Sequence, residues 1–157
     1  MKSKLDASNV LQGRTITLHN FIDAVKSKNV DTYDNNLKYC LYFGRFSEEK
    51  GIRTLIEACK QLPEVKFIFA GTGPMEEKLG AVNNIENVGF KTGQELENLI
   101  RKANFTIYPS EWYENCPFSV MESQMYGTPV VGANIGGIPE LIQNNKTGIL
   151  FESGNVD

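Results

Sequence analysis

Two carboxylates and two cations in this chain have the types and spacing for work on a phosphorylated ligand. Glu114 and Glu122 stand eight positions apart, one in a polar loop and one in the helix expected to follow it. Arg45 and Lys50 lie in a loop that begins at Gly44, after the apolar run YCLYF. Arginine offers a planar fork and lysine a point charge, and together they can neutralise a diphosphate. The stretch 109–139, PSEWYENCPFSVMESQMYGTPVVGANIGGIP, presents the other half of such a site. Pro117 is expected at the first helical position, where a missing N–H costs nothing and its fixed φ suits the helix. Asn115 or Cys116 would be the cap, asparagine being the better capping type. The backbone N–H groups of Phe118 and Ser119 would then face an anion, helped by the helix dipole by ~0.3–1 kcal/mol. Glu122, about one and a half turns inside, would sit behind a bound diphosphate. A carboxylate there can accept two charge-assisted hydrogen bonds from a vicinal diol such as ribose. Glu114, on the loop side, is placed to reach whatever is attached beyond the phosphate. The Glu-x7-Glu spacing means little by itself: about two acidic pairs at that spacing are expected by chance. Glu49 and Glu57 form another, which reads as solvated surface.

The elements that must position these groups read as an alternation of short apolar strands and amphipathic helices. Strands are expected at 39–43, 65–70, 85–90, 105–108, 129–131 and 147–151. Ile52, Leu55, Ile56, Cys59 and Leu62 recur at helical spacing, and Pro63 ends that helix. Leu96, Leu99, Ile100 and Ala103 form a second helical face behind an acidic first turn. Gly71-Thr72-Gly73-Pro74 is a tight strand-to-helix turn, with Glu76 where a dinucleotide fingerprint would carry its third glycine. Gly136-Gly137 permits a backbone turn that side chains would forbid, and Pro139-Glu140 would open a short helix. Strands about 20 residues apart with helices between them imply an α/β fold, a Rossmann-like parallel sheet with helices on both faces, of six or seven strands. Ligands of such sheets lie beyond the carboxyl ends of the strands, where Arg45 and Glu114 fall. Residues 1–37 are the least regular. A short helix at 4–12 and a strand at 15–18 are expected there, then a polar loop with one helical turn from 21 to 36.

Composition narrows the function classes. The chain has 157 residues and a net charge of −3, with no basic tract, which argues against a nucleic-acid partner. No apolar run approaches the ~20 residues of a membrane span, and the lysines near Met1 precede no apolar stretch that would make a signal peptide. Cys40, Cys59 and Cys116 have no CxxC pairing; with Cys40 and Cys59 on apolar faces they suggest a reducing cytoplasm. The single histidine, His19, excludes a site built on two histidines and reads as a strand-end residue. No acidic cluster has calcium-loop spacing, so no metal site is expected.

Taken together, Gly44-Arg45-Phe46-Ser47-Glu48-Glu49-Lys50-Gly51, Gly71-Thr72-Gly73-Pro74, the Glu114–Glu122 run, Gly136-Gly137-Ile138-Pro139-Glu140 and Gly148-Ile149-Leu150-Phe151 resemble the donor site of the retaining family 4, or group 1, glycosyltransferases of the GT-B fold. The likeness covers residues 38–157 in order. It implies a domain at 38–157 that is the C-terminal, donor-binding half of such an enzyme, shortened at its end. Residues 1–37 would be the linker and the remnant of the preceding domain. It implies a nucleoside-diphosphate sugar as ligand, no cofactor or metal, and retention at the anomeric carbon. Arg45 and Lys50 would bind the phosphates, Glu122 the ribose and Glu114 the sugar hydroxyls. Gly44, Gly71 and Gly73 would let backbone approach the donor, and Phe90 and Lys91 would lie near the base. Asn20-Phe21-Ile22-Asp23 matches a family stretch loosely, with Phe21 where glycine is common, and no role is carried onto it. Trp112 and Tyr113 either pack on a sugar or close the loop. The expected acceptor is a glycan or a lipid-linked molecule, in polysaccharide biosynthesis. The expected setting is cytoplasmic, with any peripheral contact to the inner face of the membrane made by the missing N-terminal GT-B domain. The isolated chain is expected to be inactive. The alternatives are a non-catalytic nucleotide-binding module and another GT-B chemistry such as a sugar-nucleotide epimerase.

Overall fold

The computed structural model describes residues 39–157 continuously, and residues 6, 7, 14, 16, 18 and 20–23 before them. Six strands follow in chain order: β1 (Cys40–Phe43), β2 (Phe67–Ala70), β3 (Ile85–Gly89), β4 (Phe105–Tyr108), β5 (Val130–Ala133) and β6 (Gly148–Phe151). The helices between them are α1 (Ile52–Gln61), α2 (Glu76–Leu79), α3 (Gly93–Lys102), α4 (Phe118–Met125) and α5 (Ile138–Leu141), with a 3-10 turn at Glu48–Lys50 before α1. Every neighbouring pair of strands is parallel, in the order β3-β2-β1-β4-β5-β6. The chain builds outward from β1 through β3, then returns to the other side of β1 as β4. The loops after β1 and β4 therefore leave adjacent strand ends at the point where the strand order reverses, the place where doubly wound sheets bind ligands.

The central strands are buried on both faces, as strands covered by helices on each side must be. Cys40, Tyr42, Phe67 and Phe69 point into one core with Ile52, Leu55, Ile56 and Cys59 of α1. Leu41, Phe43, Ile68 and Ala70 point the other way, onto Ile100 of α3. A third cluster joins Val120 of α4 and Ile138 of α5 to Val130 and Ala133 of β5. Two buried hydroxyls fix the second half of the sheet. Thr128 Oγ1 donates to the carbonyl of Ile100 at 2.7 Å, and Thr106 Oγ1 donates to Ser123 Oγ at 2.9 Å. Among the described residues no helix is long and apolar enough to cross a membrane.

Local expectations differ in four places. Leu62 is not part of the buried stripe: α1 has ended at Gln61, and Leu62 at its C-cap is 43% exposed. The second strand starts at Phe67 instead of Val65, because the N–H of Val65 turns back to the carbonyl of Leu62. Pro117 is the N-cap of α4 rather than its first residue, with ψ of 125°, so Asn115 and Cys116 lie further outside the helix. Of the early segment, Asp6 and Ala7 are helical, and Ile16 and Leu18 are exposed and outside any strand. The remainder of the expected helix at 4–12, His19 and residues 24–38 lie outside the described residues.

The end of α1 leaves carbonyls without helical partners, and Asn84 collects them. Its side-chain NH2 lies within hydrogen-bond distance of the carbonyls of Cys59, Leu62 and Val65, at 2.9, 2.8 and 3.0 Å, its two hydrogens shared among them. Asn84→Ala is expected to cost ~1 kcal/mol of stability by removing these bonds, since the Cys59 and Leu62 carbonyls keep a backbone donor. Asn83→Ala, on exposed surface, is expected to stay within ~0.5 kcal/mol. Equilibrium urea unfolding of the two variants checks this; equal midpoints would refute the capping role.

Candidate functional site

The loops after β1 and β2 are closed onto each other backbone to backbone. Gly44 N–H donates to the Ala70 carbonyl, Phe46 N–H to that of Thr72, and Met75 N–H to that of Phe46, all at 2.9–3.0 Å. A Cβ on Gly71 would meet the Gly44 carbonyl oxygen at 1.9 Å, and one on Gly73 would meet the Phe46 oxygen at 2.3 Å. The two glycines are therefore required by loop-on-loop packing, whatever approaches from outside. Beneath them Phe46 is fully buried against Tyr42 and Phe69, with ring centroids 5.5–6.1 Å apart across the three pairs. Tyr42 Oη donates to the Arg45 carbonyl at 2.7 Å. Arg45 is thus pinned at its backbone between buried Phe43 and Phe46, while its side chain stands exposed. It borders an open cleft of about 520 Å³ at the carboxyl ends of β1, β2 and β3, together with Gly44, Gly71, Gly73, Phe90 and Lys91. Phe90 is 71% exposed there, a free aromatic face.

The loop after β4 is stitched to the loop after β1. Glu111 N–H and Ser110 Oγ both donate to the carbonyl of Glu49, at 3.0 and 3.3 Å. The side chains of Lys50 and Glu114, 64 positions apart in sequence, form an ion pair. Ser110 Oγ, almost fully buried, lies 3.2 Å from the same oxygen of Glu114. The Tyr108 hydroxyl faces Glu114 and Ser119, and burial, with the Glu114 charge adding to it, pushes its pKa well above the ordinary value. Arg45 makes no ion pair with another described residue. Trp112 and Tyr113, beside Glu114, are exposed.

The Gly136-Gly137 turn holds Glu114 from behind. Gly137 N–H donates to the Glu114 carbonyl at 2.6 Å. A Cβ on Gly137 would lie 1.7 Å from the Asn115 carbonyl oxygen, and one on Gly136, at φ of 62°, would lie 2.6 Å from the Glu114 carbonyl oxygen. Sequence reasoning placed a turn here but not its partner, because the contact joins loops after two different strands.

Helix α4 starts at Phe118 without a side-chain cap, so the N–H groups at its first turn are available to an anion. Phe118 itself is 53% exposed. The helix is buttressed from within, where Ser123 Oγ donates to the Ser119 carbonyl at 2.7 Å. Glu122 faces a second concavity of about 480 Å³, between α3 and α4, with Glu97 and Tyr126. Its carboxyl is held above the ordinary range by burial. Arg45 and Glu122 thus line different concavities, with Leu96 bordering both. Two residues left without a role also appear here: Ile22 and Asp23 line the Glu122 concavity. Asn20 Nδ2 donates to the Cys116 carbonyl at 3.1 Å, just ahead of α4. The loose Asn-Phe-Ile-Asp likeness was the signal that could have found them. Among the described residues no three His, Cys, Asp or Glu side chains are grouped to hold a metal ion.

Known proteins are similar to this chain in sequence and fold. The putative colanic acid biosynthesis glycosyltransferase WcaL of Escherichia coli is 33% identical over 122 residues, 68% of this chain and 30% of its own length. The structure of HepE from Anabaena in complex with UDP and glucose matches with a TM-score of 0.67 at 27% identity, over 77% of this chain and 36% of that one. The apo lipopolysaccharide outer core galactosyltransferase WaaB shares the fold with a TM-score of 0.80 at 20% identity, over 99% of this chain and 47% of that one. The chain spans between about a quarter and under half of the length of the curated relatives it matches. A family model described as glycosyl transferases group 1 matches residues 24–157, the whole described sheet included, and the chain belongs to that family.

Proposed function

We propose that this chain is the donor-binding half of a retaining glycosyltransferase, holding a nucleoside-diphosphate sugar in the crevice between the loops after β1 and β4. The observation that supports this reading is the Lys50–Glu114 ion pair between the loops after β1 and β4, where the strand order reverses, with Arg45 exposed on the first of these loops beside the neighbouring cleft. Arg45, Lys50 and the first N–H groups of α4 take the diphosphate, so cationic side chains and peptide dipoles carry its charge in place of a metal ion. The base lies against Phe90 and Lys91, and the ribose passes over Leu96 toward Glu122. Glu114 accepts hydroxyls of the sugar. As the glycosidic bond breaks, negative charge grows on the leaving diphosphate, and these donors bind that state more strongly than the ground state. The acceptor, a glycan or lipid-linked molecule, enters from a first domain in a two-domain enzyme. The ligand class matches the UDP and glucose of the HepE complex.

Calorimetric titration of the chain with UDP, GDP and ADP tests this. One nucleotide is expected to bind selectively. Arg45→Ala and Glu122→Ala should each weaken it by roughly ten- to a hundredfold, the effect of one lost charge-assisted hydrogen bond. Binding that ignores both substitutions would move the site away from this crevice.

A further inference from the structure

The ion pair between Lys50 and Glu114 sets up a competition inside the site. The lysine assigned to phosphate is occupied by the carboxylate assigned to the sugar. Both side chains are largely enclosed, 28% and 17% exposed, and the shared oxygen of Glu114 also lies within hydrogen-bond distance of buried Ser110. Enclosure matters because a partly buried pair is screened less by salt and water than a surface pair. A phosphate entering beside Lys50 must take the lysine from Glu114. It then leaves a largely enclosed carboxylate next to a second anion, with only the Tyr108 hydroxyl and the Ser110 hydroxyl, which is shared with the Glu49 carbonyl, close to it among the described side chains. Two like charges at such range oppose each other. A bare nucleoside diphosphate gives nothing back for that loss. A nucleoside-diphosphate sugar does, because its hydroxyls can donate to the released carboxylate.

We propose that Glu114 is a placeholder for the donor phosphate, and that exchange of Lys50 between Glu114 and phosphate makes the site favour the sugar-bearing nucleotide over the bare diphosphate product. The inference rests on the donor-binding reading above and extends it to selectivity between substrate and product. It also gives the loop after β4 a part in product release: when the sugar has left, Glu114 reclaims Lys50 and expels the diphosphate.

The experiment compares the whole chain with Glu114→Gln, Glu114→Ala and Arg45→Ala by calorimetric titration. The probes are the nucleoside diphosphate that the wild type prefers among UDP, GDP and ADP, and its sugar conjugate, UDP-glucose, GDP-mannose or ADP-glucose. Circular dichroism confirms that each variant is folded. Both Glu114 variants are expected to bind the bare diphosphate about tenfold more tightly, and to lose the preference for the sugar conjugate. Arg45→Ala is expected to weaken both ligands. If Arg45→Ala weakens binding but neither Glu114 variant strengthens the bare diphosphate, the placeholder role is wrong while the donor site stands. If Arg45→Ala changes nothing, or no nucleotide binds, the donor-site reading falls and the placeholder role falls with it.

Discussion

Gly137→Ala is expected to lower the unfolding temperature of this chain by about 6–12 °C and to abolish the nucleotide binding proposed for it. Gly137 has a φ of −94°, which any residue adopts, so the obstacle is space and not conformation. The added methyl carbon would sit 1.7 Å from the Asn115 carbonyl oxygen and 2.8 Å from its carbon. Both obstacles are backbone, so no side chain can swing away. Either the turn retreats from the loop or the loop retreats from the turn. Retreat breaks the 2.6 Å bond from Gly137 N–H to the Glu114 carbonyl and moves Glu114 off Lys50 and Ser110. Overpacking of this kind costs ~3 kcal/mol, and for a chain of this size 1 kcal/mol corresponds to about 2–4 °C. Thermal unfolding followed by circular dichroism, with a nucleotide titration beside it, checks both halves. Gly127→Ala is the contrast: its φ is 79°, but its Cβ would meet nothing within 4 Å, so a smaller loss with binding intact is expected. A Gly137→Ala protein as stable as the wild type would mean that the turn does not brace the loop.

In the two-domain transferase proposed above, Arg45→Ala is expected to lower kcat by roughly 10²–10³-fold, the usual effect of removing one donor from a developing charge. The size of the effect follows from how little Arg45 has to do when it binds. Its backbone is fixed by the Tyr42 hydroxyl and by Phe43 and Phe46 on either side, and its side chain stands at the cleft without an ion pair to a described residue. The fixed backbone delivers the guanidinium to the cleft free to take a ligand oxygen, although its side-chain torsions are still to be ordered on binding. Arg45→Lys should recover only part of the loss, since an ammonium cannot grip two oxygens as a planar fork does. Steady-state kinetics of the three proteins separates the cases. A rise in KM with kcat unchanged would show that Arg45 binds ground state and transition state alike.

The local pattern of the sequence carries most of the fold. Short runs of three to six residues between helical stripes became β1 to β6, and the position of Arg45 and Glu114 beyond strand ends followed from that alternation. The site is less complete in the sequence, for identifiable reasons. The Lys50–Glu114 pair and the docking of Gly137 on Glu114 join loops that meet only because β4 lies beside β1, and strand order is not written in periodicity. Glycines 71 and 73 are legible as a turn. That they are held by the backbone of Gly44 and Phe46 needs the neighbouring loop. Leu62 fits the helical stripe, but the helix ends one residue earlier, where Asn84 takes its carbonyls. Pro117 suits either the first position or the cap, and its ψ of 125° decides for the cap. Glu122 reads as part of a single constellation, yet Leu96 of α3 stands between its concavity and the cleft of Arg45.

The central claim is that a donor diphosphate lies between Arg45 and the N-terminus of α4. A crystal structure of this chain with the nucleoside diphosphate it binds tests that directly. The account predicts phosphate oxygens ~2.7–3.2 Å from the Arg45 guanidinium and from the N–H of Phe118 or Ser119, with Lys50 turned from Glu114 onto phosphate. A diphosphate seated elsewhere, such as in the Glu122 concavity or at the amino ends of β2 and β3, with Lys50 still on Glu114, would contradict it.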